Sequence, residues 1–297
     1  MRVFVTGATG FIGSYVVRDL VAAGHQVAGL ARSEAGASSL AAAGAVVHPG
    51  SLEDRGSLRR GAAACEAAVH LAFDHDFAKV IANCELDRRA IAALGSALPG
   101  PGLPLIVTSA TGAVFTLGRP ATEDDAPSPQ IPRIAGEQAA DALAAEGVHV
   151  AVVRLPQVHD PVKQGLVTRL IAVAREKGVS AYVGDGSNRW PAVHVRDAAR
   201  LYRLALEKSV AGARYHAVAE EGVPLREIAE AIGRGLKVPV VSISAEQARD
   251  HFGWVGMFVS ADIPASGALT QARLGWQPRE VGLLSDLNGA KGFEERV

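Results

Sequence analysis

Met1-Arg2-Val3-Phe4-Val5-Thr6-Gly7-Ala8-Thr9-Gly10-Phe11-Ile12-Gly13 opens the chain and sets glycines at positions 7, 10 and 13 between two different apolar periods. Arg2–Thr6 is a short β-branched run, the composition of a buried strand. Beyond the glycines, Phe11, Ile12, Val16, Val17, Leu20 and Val21 recur at helical spacing, and Gly24 stops the stripe as a C-terminal glycine does. The backbone therefore turns from strand to helix between Gly7 and Gly13. Gly7 permits the tight turn, Gly10 lets the backbone approach a bound group, and Gly13 lets helix and strand pack closely. A helix start in that place offers unpaired N–H groups and a positive dipole end to an anion.

The alternation continues outward. Strands read at His25–Leu30, Ala45–His48, Ala67–Leu71, Leu103–Thr108 and Val148–Arg154, with helices near Ala37–Ala43, Leu58–Ala63, Lys79–Leu98 and Ile134–Glu146. Strands alternating with helices predict right-handed crossovers and a parallel sheet covered on both faces. The expected fold class is α/β: a Rossmann doubly wound sheet whose glycine loop reads as a dinucleotide site, because strand and helix flank it as required. After Arg154 the helices near Leu166–Lys177, Arg196–Leu206, Leu225–Leu236 and Glu246–His251 come with short, scattered strands, and Pro264–Gly292 reads as loosely structured. The expectation is a Rossmann domain over residues 1–155 and a smaller C-terminal α/β lobe over 156–297 that caps the substrate. Residues 192–206 are open to packing back onto the first.

Composition narrows the function. Lys plus Arg is 30 against 31 for Asp plus Glu, a net charge of -1 in 297 residues. That balance argues against a nucleic-acid or anionic-membrane surface. Only Cys65 and Cys84 are present, with no zinc-like spacing, so neither a metal site nor a disulfide framework is expected. No stretch approaches the roughly 18 apolar residues of a membrane span. A cytoplasmic protein acting on a small molecule is the expectation.

The end of the second strand separates the two nicotinamide dinucleotides. It reads Ala31-Arg32-Ser33, with no carboxylate for the ribose hydroxyls. A guanidinium and a hydroxyl suit a 2′-phosphate, so NADP(H) is favoured, although a solvated Arg at a strand end reads the same way and Glu34 stands close by.

Taken together, Thr6–Gly13, Gly50-Ser51-Leu52, His70-Leu71-Ala72 with Phe73, Arg154-Leu155-Pro156-Gln157-Val158-His159 and Trp190–Asp197 resemble the short-chain dehydrogenase/reductase superfamily, in its extended or atypical branch of epimerases and dehydratases. The resemblance spans at least Met1–Leu206. It implies that Gly7, Thr9, Gly10, Phe11, Ile12 and Gly13 hold the pyrophosphate, with Arg32, Ser33, Ser51 and Leu52 around the adenosine. Leu71, Ala72, Phe73, Pro156 and Val158 would line the nicotinamide end. It also implies a homodimer on the helices Lys79–Leu98 and Ile134–Glu146.

That family relies on Tyr-x-x-x-Lys with a Ser or Thr after the fifth strand. Here the Tyr place falls near Ser128 or Pro129 and the Lys place near Pro132 or Arg133, so the pair is missing. None of Tyr15, Tyr182, Tyr202 and Tyr215 has a Lys four residues later. Thr111, three residues before the Val of Val114-Phe115, stands at the hydroxyl position, with Ser109 second. Either equally suits a backbone-satisfying role at a strand end. Replacement proton carriers are His159 and Tyr182, with Asp74, His75, Asp76 and Asp160 on loops at the same sheet edge. Asp74 or Asp76 also reads as a helix cap, and His194 as a helix-start residue.

An imine enters already protonated, so loss of the Tyr/Lys pair fits reduction of an imine, or of a carbonyl by a relocated acid. The leading expectation is an NADPH-dependent reductase of a small, fairly apolar carbonyl or imine. An NAD-dependent sugar-nucleotide epimerase or dehydratase, and a non-catalytic NADPH-binding regulator, are the alternatives.

Overall fold

A computed structural model of the chain describes residues 1–98, 100–114, 118–290 and 293. The first half alternates as β1 (Arg2–Thr6), α1 (Phe11–Ala22), β2 (Gln26–Ala31), α2 (Glu34–Ala42), β3 (Val46–Pro49), α3 (Arg55–Ala63), β4 (Ala67–His70), α4 (Val80–Gly95), β5 (Leu105–Ala110), α5 (Ile134–Ala145) and β6 (Val150–Leu155). There follow β7 (Gln157–His159), α6 (Val167–Lys177), β8 (Ser180–Val183), β9 (Arg189–His194), α7 (Val195–Lys208), β10 (Arg214–His216), β11 (Glu220–Pro224), α8 (Leu225–Leu236), β12 (Val240–Ile243), α9 (Ala245–Phe252), α10 (Gly256–Val259), α11 (Ala268–Leu274) and α12 (Leu283–Asn288).

Seven parallel strands in the order β10-β6-β5-β4-β1-β2-β3 form the main sheet. Strand order reverses between β1 and β4, which opens a crevice at their carboxyl ends, where such sheets bind ligands. The two faces follow from alternation along each strand. Val3 and Val5 of β1 join Val16, Val17 and Leu20 of α1 and Leu201, Tyr202 and Ala205 of α7 in one buried layer. Phe4 points the other way, into a layer with Leu58, Ile91, Leu94 and Leu143 of α3, α4 and α5.

Past β6 the chain leaves the sheet, returns to it and leaves again. β7, β9 and β11 make a three-stranded sheet, and β8 pairs with β12. Trp190, Leu170, Ile228 and Phe252 anchor a separate core there. Between those excursions α7 packs across α1, and β10 adds the seventh strand beside β6. The stretch expected to be loosely structured after Pro264 instead forms α11 and α12, because Leu274, Trp276, Leu283 and Leu287 are all buried. Positions 291 and 292 lie outside the described residues. Among the described residues no helix is long and apolar enough to cross a membrane.

A buried ion pair locks α5 to the sheet edge. Arg154 gives Nε and Nη2 to the Glu137 carboxylate at 2.9 and 2.8 Å, with both side chains fully enclosed. His216 on β10 donates from Nδ1 to the Ser266 carbonyl at 2.9 Å, which leaves Nε2 facing Arg154 Nη1 at 3.3 Å. Burial, opposed by Glu123 and reinforced by Arg154, pushes the His216 imidazole down to about 4 from 6.5. The unfolded chain therefore takes up this proton first. The stability contributed by His216 is whole above pH 6.5 and is lost as pH falls toward 4, by roughly 3 kcal/mol. Denaturant midpoints measured across that range should fall accordingly, and His216→Gln should flatten the fall.

Candidate active site

Where β1 turns into α1, the glycines are required by contact. Gly7 has φ +67, and a Cβ there would sit 2.6 Å from the Ala72 amide nitrogen beyond β4. A Cβ on Gly13 would overlap the Gly7 carbonyl. Gly10 N donates to Gly7 O at 2.9 Å, closing the turn. Gly10 is also the N-cap of α1, and neither a capping side chain nor an acidic residue in the first turn competes for its free N–H groups. A cradle of bare amides at a positive dipole end fits a pyrophosphate, so the residues present suit a dinucleotide.

At the β2–β3 end of the crevice, Arg32 is exposed and Ser33 caps α2 by accepting from Gly36 N at 3.2 Å. A Cβ on Gly36 would press on the Thr9 methyl at 3.1 Å, so Thr9 walls this corner. Sequence reading missed Glu53 here. The Ser51 hydroxyl donates to it and, with the Arg32 charge, holds its carboxyl below the ordinary range.

At the β4–β5–β6 end, Leu71, Ala72, Phe73 and Pro156 are half-buried, while Phe11 and Ile12 stand at the first turn of α1 and pack on the layer that contains Val158. Thr111 Oγ1 donates to Leu155 O at 3.4 Å, joining the ends of β5 and β6. Phe115 lies outside the described residues.

The structure gives most of the other proposed acids partners of their own. Ser109 follows the strand alternation to the opposite face from Thr108 and lies buried beside Glu137, whose carboxylate it helps keep ionised. His159 is fully enclosed, its Nδ1 bonded to Asp286 Oδ2 of α12 at 2.7 Å, and burial pulls its pKa down in spite of that carboxylate. It ties the C-terminal helix to β7. Tyr182 sits on β8 with the Arg226 guanidinium 5.8 Å from its ring centre, a packing role within the small lobe. Asp76 caps the turn before α4 through Ala78 N, Asp74 accepts from Asp76 N, and Asp160 accepts from Tyr15 and from the Val162 and Lys163 amides. His194 caps α7 by accepting from Arg196 N.

Arg133 is the residue that sequence reading passed over. Placed at the N-cap of α5, it gives Nη1 to Asp87 Oδ2 at 2.5 Å and Nη2 to the Thr108 carbonyl at 2.8 Å. Its Cζ lies 4.2 Å from the centre of the Phe73 ring. Asp87 Oδ1 in turn accepts from His70 Nε2 at 3.0 Å, which leaves His70 Nδ1 to accept from the Thr6 hydroxyl at 2.7 Å. Burial opposes ionisation of Asp87, but Arg133 and His70 outweigh it and hold its carboxyl low. A fixed cation thus stands at the carboxyl edge of β5, in the stretch where the resemblance puts a Lys. The signal was present, because a guanidinium carries the same charge with a more rigid fork.

Residues 3–219 match the model of the NAD dependent epimerase/dehydratase family. The chain belongs to that family. Membership carries a nicotinamide cofactor and oxidoreductase-type chemistry. The chain is 50% identical over 289 residues to uncharacterized protein C2A9.02 of Schizosaccharomyces pombe, covering 97% of this chain and 98% of that one. It is 30% identical over 289 residues to a 4-hydroxy-2-methyl-3-oxo-4-farnesyl-3,4-dihydroquinoline-1-oxide ketoreductase of Stigmatella aurantiaca, covering 89% and 84%. Among solved structures, the dTDP-glucose 4,6-dehydratase DesIV of Streptomyces venezuelae, solved with NAD bound, aligns at TM-score 0.77 and 23% identity, covering 97% of this chain and 95% of that one. The last likeness is one of fold.

Because His159 is a buried clasp, His159→Asn should lower the melting temperature while leaving kcat within about threefold of the parent. A loss of kcat on the order of 10²-fold in a variant with unchanged melting would return it to the reaction.

Proposed function

We propose that this protein is an NADPH-dependent reductase of a small, fairly apolar carbonyl or imine compound. The observation that carries the reading is a sheet edge that lacks the family's ionisable Tyr base and keeps a permanent cation, Arg133, in the stretch of its Lys. An epimerase or dehydratase begins by removing a proton and a hydride from an alcohol, and that demands a base. Ser128 and Pro129 stand where the family's Tyr belongs, and a guanidinium does not give up its proton in this pH range. Arg133 instead suits negative charge arriving at that edge, which is the need of the reductive direction. The ketoreductase relative supports the same direction.

When bound, the reduced nicotinamide supplies a hydride. On the substrate, hydride addition to carbon sends the C=O or C=N π pair to oxygen or nitrogen. Thr111, on turning away from the Leu155 carbonyl that it meets at 3.4 Å, donates a hydrogen bond to that atom, and Arg133, ion-paired with Asp87, stands at the same edge. An iminium ends as a neutral amine with no further proton, whereas an alkoxide still needs one. His75, on the rim, is held below its ordinary pKa by its surroundings first and by Arg133 next, so it is a poor donor near neutrality. That favours imines, or ketones protonated from water.

At the other end, Arg32 and Ser33 suit a 2′-phosphate. Arg32→Ala should weaken NADPH about 10- to 100-fold by calorimetry and NADH far less; equal losses would overturn the choice of cofactor. Glu53 faces the same corner, so Glu53→Gln should shift preference further toward NADPH.

Turnover is tested on matched panels of aldehydes, ketones and cyclic imines, with UDP-glucose as the epimerase control, following the loss of reduced-nicotinamide absorbance. Arg133→Gln should lower kcat on the order of 10²-fold with cofactor still bound. Epimerisation of UDP-glucose would overturn the reading. So would tight NADPH binding with no turnover anywhere, which would favour a regulatory protein.

A further inference from the structure

Two aromatic rings far apart in sequence meet over the loop that follows β4. Phe77 stands on the loop after β4, within a turn spanning Phe77–Lys79. That loop is pinned from below by Asn83 Nδ2, which donates to the carbonyls of Asp74 and Asp76 at 3.1 and 3.0 Å. Trp254 stands opposite, on a turn Gly253–Val255 between α9 and α10. Its base is fixed by Val255, fully buried in the small-lobe core, and by Trp190 Nε1 donating to Phe258 O at 3.1 Å. The two rings lie face to face, with centroids 4.2 Å apart and planes 18° from parallel. Phe258 meets both edge-on at 6.2 Å.

Inward from this pair the row of rings continues without a break. His75 contacts Phe77 at 6.3 Å and Phe73 at 5.2 Å, and Phe73 carries the Arg133 guanidinium on its face. Outward, Trp254 is 43% exposed and is flanked by Met257 at 72% and Ile81 at 74%. An apolar rim therefore leads to a stacked pair, then along π faces to the fixed cation.

We propose that Phe77 and Trp254 form a substrate clamp, and that the substrate is a flat, conjugated ring compound carrying the C=O or C=N that is reduced. The assignment rests on the reductase reading of the site. One ring stack is a weak closure, and it is the kind of contact that opens on binding. A planar ring entering between the two side chains replaces one face-to-face contact with two. A saturated sugar ring is puckered and hydroxylated, so it would break the stack, bury polar groups among aromatic faces and regain neither. Selectivity for flat compounds follows from that difference. Substrate entering this way lies along Phe77, His75 and Phe73, with its reactive end toward Thr111 and Arg133.

Trp254 also supplies a readout apart from catalysis, because Trp190 and Trp276 are 0% and 1% exposed. The NADP⁺-loaded protein is titrated with 2-acetylnaphthalene and with cyclohexyl methyl ketone, its saturated counterpart, while tryptophan emission and its quenching by acrylamide are recorded. The flat ketone should change the emission and bind at least about tenfold more tightly than the saturated one. Trp254→Leu and Phe77→Leu should remove that advantage, and Trp254→Phe, which keeps a flat face, should retain it. Equal binding of the two ketones, or an advantage that survives in both leucine variants, would overturn the clamp even if ketones are turned over. Selective binding with no turnover of any carbonyl or imine would keep the clamp and overturn the reductase reading instead.

Discussion

The Asp87 carboxylate is buried between a guanidinium and an imidazole, and four elements meet through it. Arg133 at the head of α5 takes one oxygen, and His70 at the end of β4 takes the other. His70 passes the constraint on to Thr6, the last residue of β1 and the one before Gly7. Removing a partner from a buried charge costs several kcal/mol, so these groups hold one geometry. The phosphate cradle and the catalytic-edge cation therefore share a single rigid frame. Arg133 is also trapped between the Phe73 face and the Thr108 carbonyl, which leaves its fork little freedom to turn.

Polar bonds cross the seam between the lobes: Thr270 N and Oγ1 both donate to Glu123 Oε1 at 2.6 Å, and the Tyr15 hydroxyl donates to Asp160 Oδ2 at 3.0 Å. Helix α7 and strand β10 thread through the same seam, so the chain crosses it several times. Elsewhere the Phe77–Trp254 stack bridges it.

On the proposed reading, losing the Tyr base while keeping a cation in the Lys stretch changes which chemistry the edge favours. A tyrosinate and its protonated form serve oxidation and reduction alike, because the proton moves both ways. A guanidinium stabilises negative charge but neither takes nor gives the proton at ordinary pH. On that reading, proton balance then comes from substrate or water, which favours acceptors that arrive protonated.

Much of the sheet was legible in the sequence because it depends on local period. Alternating β-branched runs and helical stripes marked β1 to β6 and α1 to α5 to within a few residues, and Gly7, Gly10 and Gly13 declared a tight turn that admits no Cβ at Gly7 or Gly13. The missing Tyr and Lys were equally plain, since absence of a residue type needs no coordinates. Tertiary structure decided what depends on distant partners. His159 reads as an acid at a sheet edge, yet Asp286, 127 residues later, encloses it. Arg133 reads only as an occupant of the place of a lost Lys, yet Asp87, 46 residues earlier, fixes it beside the end of β5. Pro264–Gly292 reads as loose because it is rich in Pro and Gly, yet its described residues pack through Leu274, Trp276 and Leu287 against surfaces made elsewhere. Period and turn chemistry act over a few residues, so a sequence displays them directly; the pairing of buried charges and rings is set by which elements the fold brings together.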